Sequence, residues 1–166
     1  MKRFFTIVII IIITIVLYSF SSIYTSSQDP WKYEIEAINT GVSGTYLVKV
    51  WVYLKKSDVD YDLVKKMAIH GVIFKGVSGN DLFPPQAPLS NDPNVEENQK
   101  EFFNVFFSDN GDYSMFINSS SDQVAPGDRM KIGREFKIGV VLSVKKDALR
   151  SHLENSGIIS KLSEGF

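Results

Sequence analysis

Hydrophobic and polar positions follow three regimes along this chain. A charge-free apolar run fills Phe4–Phe20, two long segments alternate with period two, and the stretches between them carry apolar residues at helical spacing or in no regular order. Thr45–Lys55 is the clearest alternating segment. Tyr46, Val48, Val50, Val52 and Leu54 fall on one face, and Lys49, Trp51, Tyr53 and Lys55 on the other. The mixed second face predicts an antiparallel sheet with one side packed and one partly open. Trp31–Thr40 reads as a preceding strand, joined to it as a hairpin through Gly41–Gly44. Arg134–Val144 alternates in the same way through Phe136, Ile138, Val140, Leu142 and Val144.

Helical spacing appears next. Ser57 or Asp58 can cap a helix from about Val59 to His70, with an apolar stripe of Leu63, Val64, Met67 and Ala68, ended by Gly71. Val72–Lys75 then reads as a short apolar strand closed by Gly76. Residues 76–94 hold Gly76, Gly79, Pro84, Pro85, Pro88 and Pro93 around Leu82, Phe83 and Leu89, a long loop expected to be ordered and packed, with a binding loop or lid as the alternative. Val95–Phe107 predicts a second helix capped by Asn94, with Phe102, Phe103, Phe106 and Phe107 as the aromatic plug of the core. Tyr113–Ile117 reads as a strand, with Tyr113, Met115 and Ile117 on one side. Asn118–Asp128 is irregular. A last helix opens at Lys146-Asp147, carries Ala148, Leu149 and Leu153, and stops near Asn155–Gly157. Ile158, Ile159 and Leu162 form a final helical turn. The order β-β-α-β-α-β-β-α does not alternate as a doubly wound sheet does, so the expected fold class is α+β, one domain with a mostly antiparallel sheet behind an N-terminal hydrophobic helix.

That N-terminal run is seventeen residues without a charge. As a helix it rises about 25 Å, close to a hydrocarbon core of about 30 Å. Lys2 and Arg3 hold its start on the cytoplasmic side. Ser19-Phe20-Ser21 and Thr25-Ser26-Ser27 both offer small-x-small cleavage spacing, so a retained anchor and a cleaved signal peptide stay open as readings. A lipid-modified leader is excluded, because the chain has no cysteine. The expected organisation is a signal anchor or signal peptide over 1–22, a polar tether over 23–30 and a globular domain over 31–166. The membrane is engaged through residues 4–20, with the C-terminal domain outside the cytoplasm, or periplasmic or secreted after cleavage.

Charge narrows the partners. The formal net charge of −1 becomes −3 once Lys2 and Arg3 are set aside, which argues against nucleic acid, whose phosphates demand a basic stripe. No cysteine and two histidines argue against a zinc site, and neither a metal nor a cofactor is expected. Gly41-Val42-Ser43-Gly44 is a turn rather than a phosphate cradle. Asp58, Asp60 and Asp62 alternate like a calcium loop, but Leu63 and Ile69 stand where its glycine and closing glutamate belong. His70 is expected at a helix end, where an imidazolium can bond the last carbonyls, and His152 is expected on the surface. No nucleophile-elbow motif is present, and no catalytic residue is assigned. Asn118-Ser119-Ser120 matches the short glycosylation sequon.

Ala68-Ile69-His70-Gly71-Val72-Ile73-Phe74-Lys75-Gly76, and the ending from Val140 to Phe166 with Lys145-Lys146-Asp147-Ala148-Leu149-Arg150 and Gly157-Ile158-Ile159, resemble uncharacterised exported proteins of bacterial cell envelopes. The resemblance covers about a quarter of the chain and implies an envelope setting without an assigned activity. The expectation is a non-enzymatic, membrane-tethered or exported interaction or assembly module with a protein partner in the envelope. Lys49, Trp51, Tyr53, Leu82 and Phe83 are its candidate binding residues. Two competing readings stay open: a small exported hydrolase or ligand-binding enzyme using the 76–94 loop with His70 and Asp81, and a carbohydrate-binding module marked by coplanar exposed aromatics without a titratable pair.

Overall fold

In the computed structural model, which describes residues 31–39, 43–119 and 124–161, the period-two segments form an α+β unit with one antiparallel sheet. Its strands are β1 (Tyr33–Asn39), β2 (Tyr46–Leu54), β3 (Ile117–Ser119), β4 (Arg129–Ile132) and β5 (Glu135–Val144). β2 lies between β1 and β5, and every pairing is antiparallel. Because β2 occupies one edge of β5 from Phe136 to Val144, β3 and β4 share the other, against Leu142–Val144 and Glu135–Ile138 respectively. Alternation decides the layers. Tyr33, Ile35 and Ala37, then Val48, Val50 and Val52, then Ile138, Val140, Leu142 and Val144 are all buried on one face. Removing each large aliphatic side chain from water contributes about 1.5–3 kcal/mol. The expected hydrophobic leader (Phe4–Phe20), the 23–30 tether, Gly41 and Val42 of the β1–β2 connection, Ser120 of the sequon and Leu162 lie outside the described residues.

Helix α1 (Tyr61–His70) follows β2 and covers the packed face with Val64, Met67, Ala68 and Ile69. Its cap is Asp60 rather than Ser57 or Asp58: the Asp60 carboxylate accepts the Leu63 N–H at 3.1 Å, and the helix starts later than expected. Gly71 does not end it. With φ −59° and ψ −47°, Gly71 carries the helix into a π-helical turn over Gly71–Lys75, where an apolar strand was expected. A run of three apolar residues, Val72–Phe74, has no period to distinguish strand from buried helix. The widened turn is sustained by the next loop, since Leu89 and Ser90 donate their N–H groups to the Val72 and Ile73 carbonyls at 3.0 Å each. Gly71 is small for another reason: a Cβ there would stand 3.0 Å from Ile35 Cδ1. The true stop is Gly76, at φ 76° and ψ −177°, a backbone region that glycine alone occupies readily.

The expected second helix is broken into α2 (Val95–Asn98) and α3 (Lys100–Phe106), with Gln99 at φ −115° between them. Asn94 makes no side-chain cap. Asp92 organises the start instead, accepting from Asn94 N at 2.9 Å. Phe103 and Phe106 are buried and Phe102 and Phe107 half-buried, so the aromatic plug is present. Tyr113–Ile117 is not a strand. Asp112–Phe116 is a 3₁₀ turn, whose three-residue period buries Tyr113 and Phe116 together and leaves Met115 exposed, and β3 begins only at Ile117. β4 was not foreseen. Its four residues are all exposed, and Met130 and Ile132 alternate with Arg129 and Lys131 too briefly to stand out. Helix α4 (Lys146–Asn155) seats Leu149 and Leu153 in the core at 0% exposure. Ile158 N–H closes its end on the Leu153 carbonyl at 2.9 Å, so Ile158 and Ile159 pack as a capping turn rather than a further helix. Among the described residues no helix is long and apolar enough to cross a membrane.

Candidate functional site

The unpacked face of the sheet gathers charged and aromatic side chains in register. Glu34 of β1 stands opposite Trp51 of β2, which stands opposite Gly139 of β5; Glu36 faces Lys49, and Tyr53 faces Lys137. The Trp51 indole lies against Gly139 so closely that a Cβ there would be 2.9 Å from its Cζ3. Its Nε1–H donates to Glu36 Oε1 at 3.0 Å, and the Lys49 and Lys137 ammonium groups each sit 5.1 Å from a Trp51 ring centroid. Tyr53 donates its hydroxyl to Glu34 Oε1 at 2.5 Å, and Lys137 donates to Glu34 Oε2 at 2.7 Å. Lys49 donates to Asp128 Oδ1 at 2.7 Å, which pins the 126–128 turn onto this face.

These contacts set the protonation of the face. The Lys137 hydrogen bond, joined by that of Tyr53, holds the Glu34 carboxyl below the usual carboxylate range, and the same Glu34 bond raises Lys137 above the usual lysine value. Both stay ionised through the neutral range, so neither suits proton exchange there. Lys49, Trp51 and Tyr53, singled out by the alternation of one strand, are thus brought together with Glu34, Glu36, Asp128, Lys137 and Gly139, which were missed. Alternation in β1 and β5 already placed Glu34, Glu36, Lys137 and Gly139 opposite core positions. Their neighbours depended on register, and Asp128 carried no signal.

Leu82 and Phe83 belong to a different edge. Val77 and Ser78 run beside β1, and Asn80 anchors the turn by donating to the Ala37 carbonyl at 2.6 Å while its Oδ1 accepts from Leu82 N and Phe83 N at 2.9 Å each. Leu82 projects at 81% exposure, and Phe83 is half-buried beside a shallow cleft lined with Tyr46, Val77 and Gln86. The 76–94 segment is therefore an ordered flank of the sheet.

His70 is the last residue of α1, as expected, but it is packed in the interior. It is 3% exposed, with Trp31 stacked on it at 4.1 Å between centroids and Phe74 at 4.8 Å. Tyr33 Oη lies 2.6 Å from its Nδ1, and Glu96 Oε2 lies 3.3 Å from its Nε2. The acid beside it is Glu96, and Asp81 is exposed in the turn before Leu82. His152 is half-buried rather than on the surface, with ring centroids of Phe116 and Phe106 at 5.1 and 5.8 Å and a buried Nε2 that has no hydrogen-bond partner among the described residues, Asp112 Oδ2 lying 3.9 Å away. Among the described residues no cluster of three or more acidic, histidine or cysteine side chains could hold a metal ion. Compared with protein-family models, curated proteins and solved structures, the chain finds no match in any of the three.

Proposed function

We propose that this chain is a non-enzymatic, membrane-tethered or exported cell-envelope protein whose folded unit is an interaction or assembly module, docking a protein partner on the open sheet face. The observation that carries the reading is Trp51, laid against Gly139 between two lysines with its indole N–H held by Glu36. Tryptophan and tyrosine dominate the energetics of protein interfaces, and a ring already fixed in place loses little freedom on binding. Lys49 and Lys137 are ion-paired with Asp128 and Glu34, and Glu36 accepts the Trp51 N–H, so a partner covering the two lysines strands neither. The Glu34–Lys137 pair in the middle of this surface disfavours the carbohydrate-binding reading. The hydrolase reading keeps an acid within reach of His70, but that acid is Glu96, at 3.3 Å, and not Asp81 of the loop, and the pair sits in an aromatic cluster, which disfavours it. The charge-free Phe4–Phe20 run behind Lys2 and Arg3, and the resemblance to exported envelope proteins, support the envelope setting.

Crosslinking of the full chain on intact cells tests the docking face. Trp51→Ala with Tyr53→Ala removes the captured partner while the protein stays folded. An unchanged set of partners, with only stability lowered, refutes the reading. Alkaline washing of membranes leaves an anchored chain in the pellet, and a cytosolic product with an intact N-terminus refutes the tether.

A further inference from the structure

The two edges of the sheet are finished differently. Beside β1, Ser78 accepts the Ala37 N–H at 2.9 Å and donates to the Ile35 carbonyl at 3.1 Å, so that edge is occupied. On the far side, β4 pairs with β5 and with no other strand among the described residues. All four of its residues are exposed. Register sorts them by face. Met130 opposite Lys137 and Ile132 opposite Glu135 share the face of Trp51 and Tyr53, at 41% and 51% exposure. Arg129 opposite Ile138 and Lys131 opposite Phe136 fall on the other face, and exposed Arg134 adds a cation in the hairpin turn.

A strand edge accepts another extended chain through backbone hydrogen bonds, and its alternating side chains select which chain fits. A strand added beside β4 presents one set of side chains to Met130 and Ile132 and the other to Arg129 and Lys131. Charge complementarity asks for acids in the second set and apolar residues in the first. A second copy pairing through its own β4 is disfavoured, because it brings arginine and lysine against lysine and arginine across the new ladder. Arg129 gives one guanidinium N–H to the Ser57 carbonyl at 2.9 Å, and Lys131 forms no ion pair among the described residues. We infer that β4 is an addition edge for an extended partner segment in which acidic and apolar residues alternate. This rests on the docking reading above and names the chemistry of the partner.

Fluorescence anisotropy on the full chain in nanodiscs, with a labelled Glu-Val-Glu-Val-Glu-Val peptide as probe, tests it. The acidic peptide binds, its N-methylated form does not, and Lys131→Glu weakens it about three- to tenfold while favouring the Lys-Val-Lys-Val-Lys-Val counterpart. No binding, or equal binding to Lys131→Glu, or equal binding of the N-methylated peptide, overturns the inference. Crosslinks in cells separate the two claims. Capture lost with Lys131→Glu supports the edge. Capture lost with Trp51→Ala but kept with Lys131→Glu overturns the edge and leaves the docking face standing. Capture unchanged by both overturns the two together.

Discussion

Gly139→Ala tests the geometry of the open face most directly. In an ordinary strand this exchange stabilises by about 0.5–1 kcal/mol, because alanine loses less backbone freedom on folding. Here the new Cβ would stand 2.9 and 3.0 Å from Trp51 Cζ3 and Cε3 and 3.0 Å from Lys49 Cδ. Carbon atoms in comfortable contact are about 3.5–4.0 Å apart, so the indole must rise by about 0.5–1 Å. Rising stretches the 3.0 Å bond to Glu36, whose loss costs about 1 kcal/mol on a half-exposed face, and weakens two lysine contacts of about 0.5–1 kcal/mol each. The losses outweigh the gain, and the variant is expected to be less stable by about 1–2 kcal/mol, a fall in Tm of about 3–8 °C. Thermal melting measures the loss, and the Trp51 indole N–H resonance reports the ring directly. In a Trp51→Ala background the indole is gone and the flexible Lys49 stem can move aside, so Gly139→Ala should turn stabilising by about 0.5–1 kcal/mol, which a double-mutant cycle reads. A variant that melts higher with the Trp51 indole resonance unmoved refutes the reasoning.

Four further outcomes are expected. Gly76→Ala forces an L-residue to φ 76° and brings a Cβ within 2.5 Å of the Gln86 carbonyl oxygen, a loss of about 2–4 kcal/mol measurable by denaturant unfolding. Asp60→Ala removes the α1 cap and costs about 1 kcal/mol, whereas Asp58→Ala changes stability by less than about 0.5 kcal/mol, and urea midpoints distinguish the two. Glu34 has a lowered pKa when folded, so its contribution is present above the ordinary carboxylate value and is lost as pH falls through the lowered one; Glu34→Gln should flatten the acid limb of a Tm-against-pH curve. Lys137 has the opposite sign: its contribution is full below the ordinary lysine value and fades only at strongly alkaline pH, so melting near neutrality should be insensitive to small pH changes at this pair.

Local chemistry was legible wherever one period ran long enough to be read. The alternation of Tyr46–Leu54 and Glu135–Val144 named their core residues and declared an antiparallel sheet with one open face, because side chains on a strand must point alternately to its two sides. The same logic placed Lys49, Trp51 and Tyr53 on that face before their neighbours were known, and helical spacing placed Met67, Ala68, Leu149 and Leu153 inside, though Leu63 of the expected stripe is exposed. Tertiary structure decided what short or ambiguous segments became. Val72–Lys75 turned helical because Leu89 and Ser90 supply its carbonyls with donors, and Gly71 was kept small by Ile35 rather than by a helix end. Asp128 meets Lys49 across 79 positions of sequence, and Gly139 meets Trp51 only because the two strands pair in one register. Contacts of that kind are chosen by burial of the opposite face, which slides strands until every large apolar side chain is covered, and no local pattern records the result.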